Sequence, residues 1–166
     1  QAAAAASHLG EAEGRENAPP APAAGEPEEG TGPRVLLVDD EPTILDFGYV
    51  TLSAAGYRVA TAANGESALR RTSEREYDVV VTDLRMPHMG GLEFSRRLID
   101  RQPRMAGRIL FITGDIAAIT RAGNGLPAGS RWLTKPFSLE QLLEAIAALL
   151  PAQGGRNALP SATQGL

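Results

Sequence analysis

The stretch VLLVDDEP, residues 35–42, decides the fold. Its four apolar residues are too few for a helix and show no polar alternation. They read as a strand buried on both faces, as in a parallel sheet. Two carboxylates follow at once. Pro42 then suits the first turn of a helix, where its missing N–H costs nothing. The rest of the chain repeats this strand-to-helix pattern. A helical stretch over residues 42–55 is closed by Gly56. Residues 57–62 read as a second strand, and Asn64 caps a helix over residues 65–74. Residues 79–81 read as a third strand, ending at Asp83. Gly90 and Gly91 lead into a helix to about Asp100, with Pro103 beyond it. Residues 109–112 read as a fourth strand, ending at Thr113. Residues 116–122 can be helical, but Gly123, Gly125, Pro127 and Gly129 then break the pattern. The fourth helix is therefore expected to be short or irregular. Residues 131–134 form a fifth strand ending at Lys135. Ser138 with Gln141 makes a capping box for a last helix, with Leu142, Ile146 and Leu149 on one face. Five strand–helix repeats with short, right-handed connections predict an α/β fold, a single doubly wound five-stranded parallel sheet.

The 166 residues, 43% of them apolar, supply one core and no second. No apolar run approaches the roughly 18 residues that a membrane span needs, so no membrane contact is expected. The chain has no cysteine. That excludes disulfides, thiolate metal sites and cysteine nucleophiles, and it fits a cytoplasmic location. The net charge of −4 is unevenly placed. Residues 1–33 carry six Glu against one Arg, whereas the remainder holds 14 acidic and 15 basic residues. The acidity thus belongs to the first segment, and no basic stripe with interleaved aromatics speaks for nucleic acid. Residues 1–33 are expected to be a disordered acidic Ala/Glu/Pro/Gly linker, 34–150 the folded domain, and 151–166 a flexible C-terminal tail. Of the 16 basic residues, Lys135 is the one lysine. Arg does not replace Lys where a compact point charge is needed.

Sites in parallel α/β sheets lie beyond the carboxyl ends of the strands. The predicted strand ends bring together Asp39 and Asp40, Asp83, Thr113 and Lys135. Three carboxylates in one crevice repel each other unless a cation joins them. Oxygen ligands without His or Cys suit Mg2+. Such an ion can bridge a carboxylate to a phosphoryl oxygen, the ammonium can neutralise a second oxygen, and the hydroxyl can donate to a third. These are the parts of phosphoryl transfer onto a carboxylate nucleophile. Caps and turns explain any one of these residues, but not all five together.

Four motifs in order now carry a resemblance. VLLVDDEP at 35–42 resembles the first strand and acidic pair of two-component response-regulator receiver domains (CheY-like). DLRMPHMGG at 83–91 resembles their phosphoacceptor loop, ITGD at 112–115 their strand-four switch segment, and LTKPF at 133–137 their lysine–proline turn. The likeness covers residues 34–150. It implies a flavodoxin-like sheet of order 2-1-3-4-5. It implies that Asp83 is the phosphoacceptor, served by a histidine kinase or histidine phosphotransfer domain. Asp39, Asp40, Asp83 and the backbone carbonyl of Arg85 would hold Mg2+. Lys135, ahead of a cis Pro136, would contact the phosphoryl group. Thr113 and Trp132 would be the switch pair that moves toward the site. Such a domain catalyses its own phosphorylation and dephosphorylation.

Arg85 and Asp115 lie two residues beyond Asp83 and Thr113, where they can form an ion pair across the mouth of the site. Glu41 reads as a helix N-terminal charge, with a carboxylate supporting the site from behind as the second option. Met86 and Met89 read as loop packing. The linker precedes the domain and no output domain follows it. That arrangement resembles the C-terminal receiver of a hybrid sensor histidine kinase, with a stand-alone regulator as the second option. Two other classes compete. A pseudo-receiver that only binds proteins would have lost an acidic residue or the lysine, and all are present. A phosphatase or phosphomutase with an Asp nucleophile would show a second Asp where Arg85 stands.

Overall fold

The apolar run is indeed shielded on both faces: Val35, Leu36, Leu37 and Val38 are at most 2% exposed on β1 (Arg34–Val38). The computed structural model describes residues 31–122 and 125–151. Most of the expected linker, Gly123 and the tail beyond residue 151 lie outside the described residues. After β1 come α1 (Pro42–Ala54), β2 (Arg58–Ala62), α2 (Gly65–Glu74), β3 (Val79–Asp83), α3 (Gly91–Arg101), β4 (Ile109–Thr113), α4 (Ile116–Ala122), β5 (Arg131–Thr134) and α5 (Leu139–Leu149). The strands form one parallel five-stranded sheet in the order β2-β1-β3-β4-β5. This is the doubly wound, flavodoxin-like arrangement that the sequence predicts.

Side chains alternate along a strand, so a wholly apolar strand feeds two cores, one on each face of the sheet, where composition alone suggests one. Leu36 and Val38 pack with Phe94 and Leu98 beneath α2 and α3. Val35 and Leu37 pack with Leu52, Leu142 and Ile146 beneath α1 and α5. Met86 and Met89 join the first of these cores, as expected for loop packing. The helix ends carry the expected devices. Asn64 Oδ1 accepts from the Ser67 amide at 2.8 Å. Ser138 and Gln141 close the reciprocal capping box. Gly56 turns the chain out of α1 at φ 93°, a conformation that suits a residue without Cβ. One element was not foreseen: Pro103–Met105 makes a 3-10 turn that buries Met105. Pro103 reads in sequence only as a stop for α3.

The fourth helix is short, as predicted. Its seven residues bury no side chain, and only Ala118 and Ile119 lean, partly buried, on Ile109 and Phe111.

The approach of α3 to the end of β3 is tight. A Cβ at Gly91 would stand 2.1 Å from the backbone oxygen of Asp83, whereas a Cβ at Gly114 meets nothing within 4 Å. Backbone on both sides cannot yield as a side chain can. Gly91→Ala is therefore expected to lower stability by about 1–3 kcal/mol, and Gly114→Ala by less than about 0.5 kcal/mol. Urea unfolding of the two variants beside the parent chain checks this.

Candidate functional site

Register brings the strand ends together. Thr113 pairs with Thr134, so the next residue, Lys135, emerges beside the end of β4, and its amide donates to the Thr113 carbonyl at 2.9 Å. Asp83 pairs with Ile112, and Thr82 with Val38, which sets Asp39 and Asp83 on neighbouring strand ends. Asp39 and Asp83 are buried, and Asp40 is exposed at the rim. One carboxylate oxygen from each of the three lies within 4.8 Å of the others.

Two unit charges about 5 Å apart repel by about 3 kcal/mol at an effective dielectric near 20. The structure opposes this with one cation. Lys135 Nζ donates to Asp83 Oδ2 at 3.0 Å and lies 3.5 Å from Asp39 Oδ2 and 3.6 Å from Glu41 Oε1. Two backbone amides help. Arg85 N–H donates to Asp83 Oδ1 at 2.7 Å, and Glu41 N–H donates to Asp39 Oδ1 at 2.9 Å. Burial still pushes the Asp39 carboxyl above its usual pKa, against the pull of the Glu41 amide and the Lys135 charge. For Lys135, burial works against the charge, but the bond to Asp83 and the charges of Asp83, Asp39 and Glu41 outweigh it. Its ammonium is held above the usual lysine value.

Glu41 combines both readings that the sequence offers. It sits at the N-cap of α1 but makes no side-chain cap bond, and its carboxylate reaches Lys135 instead. Only the angle at which α1 leaves β1 puts it there. Thr113 is buried at the end of β4. Its Oγ1 accepts from the Asp115 amide at 3.1 Å and lies 3.3 Å from the Asp115 carbonyl, to which it donates. The hydroxyl thus faces Asp115 rather than Asp83. Trp132 lies further out, 54% exposed on β5. The expected ion pair is present, with Arg85 Nη1 at 2.9 Å from Asp115 Oδ2. A second arginine that the sequence did not single out, Arg121, contacts the same oxygen at 2.7 Å. Burial of Asp115 is outweighed by these arginines and the Ala118 amide, which hold its carboxyl below the usual range. The Lys135–Pro136 peptide is cis. His88 is exposed in the loop after Asp83, at φ 66°.

The donor set tests which cation fits. Asp39, Asp40 and Asp83 offer carboxylate oxygens alone, with neither His nor Cys among them, and Asp40 leaves one side open to water. That suits a hard ion such as Mg2+, which keeps several waters. Mg2+ is accordingly the ion that the residues fit.

Comparison with known proteins agrees with this geometry. The family described as the response regulator receiver domain matches residues 35–147. The chain is 35% identical over 119 residues to the response regulator receiver protein CpdR of Brucella abortus, covering 72% of this chain and 98% of that protein. It spans about half the length of the curated mycobacterial transcriptional regulators that it also matches. Among solved structures, the response regulator TrrA of Thermotoga maritima, in complex with Mg(2+)-BeF, is 30% identical with a TM-score of 0.64. The match covers 72% of this chain and 100% of that one. The signal receiver domain of a signal transduction histidine kinase from Syntrophus aciditrophicus is 25% identical with a TM-score of 0.64, covering 79% and 99%.

Replacing Lys135 with Met leaves two buried carboxylates without their cation. In a chelator-containing buffer this is expected to cost about 1–3 kcal/mol of stability. Adding Asp83→Asn to Lys135→Met is expected to return part of that loss. A double-mutant cycle by urea unfolding measures both.

Proposed function

This chain belongs to the response regulator receiver family and is a receiver domain of two-component signalling, and on that premise we propose that Asp83 accepts a phosphoryl group from a phosphohistidine. One observation carries the reading. The chain's only lysine lies 3.0 Å from the carboxylate of Asp83, inside a group of three aspartates. A structural role for Lys135 needs neither a carboxylate as exposed as Asp40 nor a third acid beside it.

In the transfer, a carboxylate oxygen of Asp83 attacks phosphorus. The new O–P bond forms as the P–N bond to the partner's imidazole breaks, and the electron pair returns to that nitrogen, which takes up a proton. Lys135 meets the charge on one phosphoryl oxygen. Thr113 turns from Asp115 and donates to another, and Trp132 follows inward. Asp39, Asp40, Asp83 and the backbone carbonyl of Arg85 would hold Mg2+, which would supply positive charge to share the load on the phosphoryl group. Hydrolysis of the acyl phosphate at the same site later returns Asp83 to its carboxylate.

The donor is a histidine kinase or a histidine phosphotransfer domain, and the receiver works beside it in the cytoplasm. We read the chain as the C-terminal receiver of a hybrid histidine kinase. The acidic segment ahead of the domain supports this, as does the likeness to the receiver of the Syntrophus kinase. The receiver itself, with charges nearly in balance, is read as making no nucleic-acid contact.

Acetyl phosphate with Mg2+ is expected to give a single phosphoryl adduct by intact mass. Asp83→Asn abolishes it, and Asp39→Asn or Asp40→Asn slows its formation by about tenfold or more. An adduct that survives Asp83→Asn, or that forms equally fast in a chelator, overturns the reading.

A further inference from the structure

The two edges of the sheet differ in charge. The carboxyl edge gathers Asp39, Asp40 and Asp83. The amino edge holds a cleft of about 660 Å³ where α2, α3 and the start of β1 meet, with Arg34, Arg75, Arg101 and Arg104 along it against Glu74 and Glu76. Gln102 Nε2 donates to the Thr72 carbonyl at 2.7 Å, which ties the end of α3 to the last turn of α2 and fixes the walls of the cleft. Glu76 lies 3.4 Å from Arg104. Arg101 has no side-chain partner among the described residues. Four guanidinium groups against two carboxylates leave the cleft with a surplus of positive charge. Every cation in it is an arginine, whose planar fork takes a carboxylate through two hydrogen bonds.

The occupant follows from what the chain itself attaches at this edge. Arg34 opens β1 and lines the cleft, and the stretch EPEE, residues 26–29, comes shortly before it. Residues 1–33 hold six Glu against one Arg, an excess opposite in sign to that of the cleft. Glu29 stands five residues before Arg34 and Glu26 eight, so an extended chain lets them reach at most about 18 and 29 Å from it. That range covers a cleft of which Arg34 is itself a wall. So short a tether holds the carboxylates at an effective concentration on the order of millimolar. The acidic carboxyl edge, at the other end of the strands, repels the same segment.

We propose that Glu26, Glu28 and Glu29 dock on the arginine cleft of their own chain. The acidic segment then lies along the amino edge of the receiver and away from Asp83. This docking sets the direction in which the segment joins the domain, and it keeps the carboxyl edge clear. It does not depend on Asp83 being the phosphoacceptor.

The absence of cysteine lets a single nitroxide label be placed on the full chain through Gly25→Cys. The readout is broadening of amide NMR signals on two sides of the amino edge: residues 72–76, 101, 102 and 104 at the arginine cleft, and Arg58 and Leu150 at the neighbouring cleft, which Gly32 and Pro33 also line. At low salt the arginine side is expected to broaden about threefold more than the other. Replacing Glu26, Glu28 and Glu29 with Gln, all outside the folded domain, is expected to bring the two sides level, as is about 0.5 M salt, which screens exposed pairs. Arg101→Glu is expected to weaken the bias, and adding Glu28→Arg to restore part of it. Equal broadening of both sides at low salt overturns the docking, and so does a bias that survives the triple Gln variant. Mixing the spin-labelled chain with an isotope-labelled, spin-free copy distinguishes the remaining occupant. Broadening of the arginine side in that mixture overturns docking within one chain and assigns the cleft to the segment of a second copy.

Discussion

The ammonium of Lys135 stands between the carboxylates of Asp83 and Asp39, with Glu41 on its far side. Without it, the carboxyl edge of the sheet would gather negative charges that burial makes more expensive. The aspartates do not come together by preference. The apolar strands behind them are sealed on both faces, and the aspartates ride on the ends. Hydrophobic burial thus forces a charged cluster that one cation and two backbone amides make tolerable. A divalent ion held from the open side at Asp40 would complete the same compensation. A site assembled this way is poised to take up a further anion beside a cation, which is what receiving a phosphoryl group requires.

The domain is unevenly anchored around this edge. Helices α1 and α5 cover one core, and α2 and α3 cover another, each through fully buried side chains. Helix α4 has only partly buried contacts and the bonds of Asp115. Elements with few buried apolar contacts open at low free-energy cost. Here the weakest helix is tied to the hydroxyl and the loop that flank the nucleophile.

Much of the site could be read from the chain because each functional residue ends an apolar run. Asp83 and Thr113 end strands, Asp39 and Lys135 directly follow them, and strand ends in a parallel sheet share one edge. The misses have a common cause. Glu41 looks like a helix N-terminal charge, and only the exit angle of α1 brings it 3.6 Å from Lys135. Arg121 looks like a solvated helix residue, and only the turn after β4 aims Asp115 at it. Met105 is buried by a 3-10 turn that Pro103 alone does not announce.

What the sequence by itself determined was the order of strands and helices, the short fourth helix, and which strand ends carry charge. Those follow from local periodicity, capping and breaking residues, which act within a few positions of the chain. What only the tertiary structure decided was who touches whom across the edge: Lys135 on three carboxylates, Thr113 turned to Asp115, and two arginines on one oxygen. Those contacts join residues up to 96 positions apart (Lys135 to Asp39). Their distances depend on strand register and helix packing, which many residues set together and no single motif encodes.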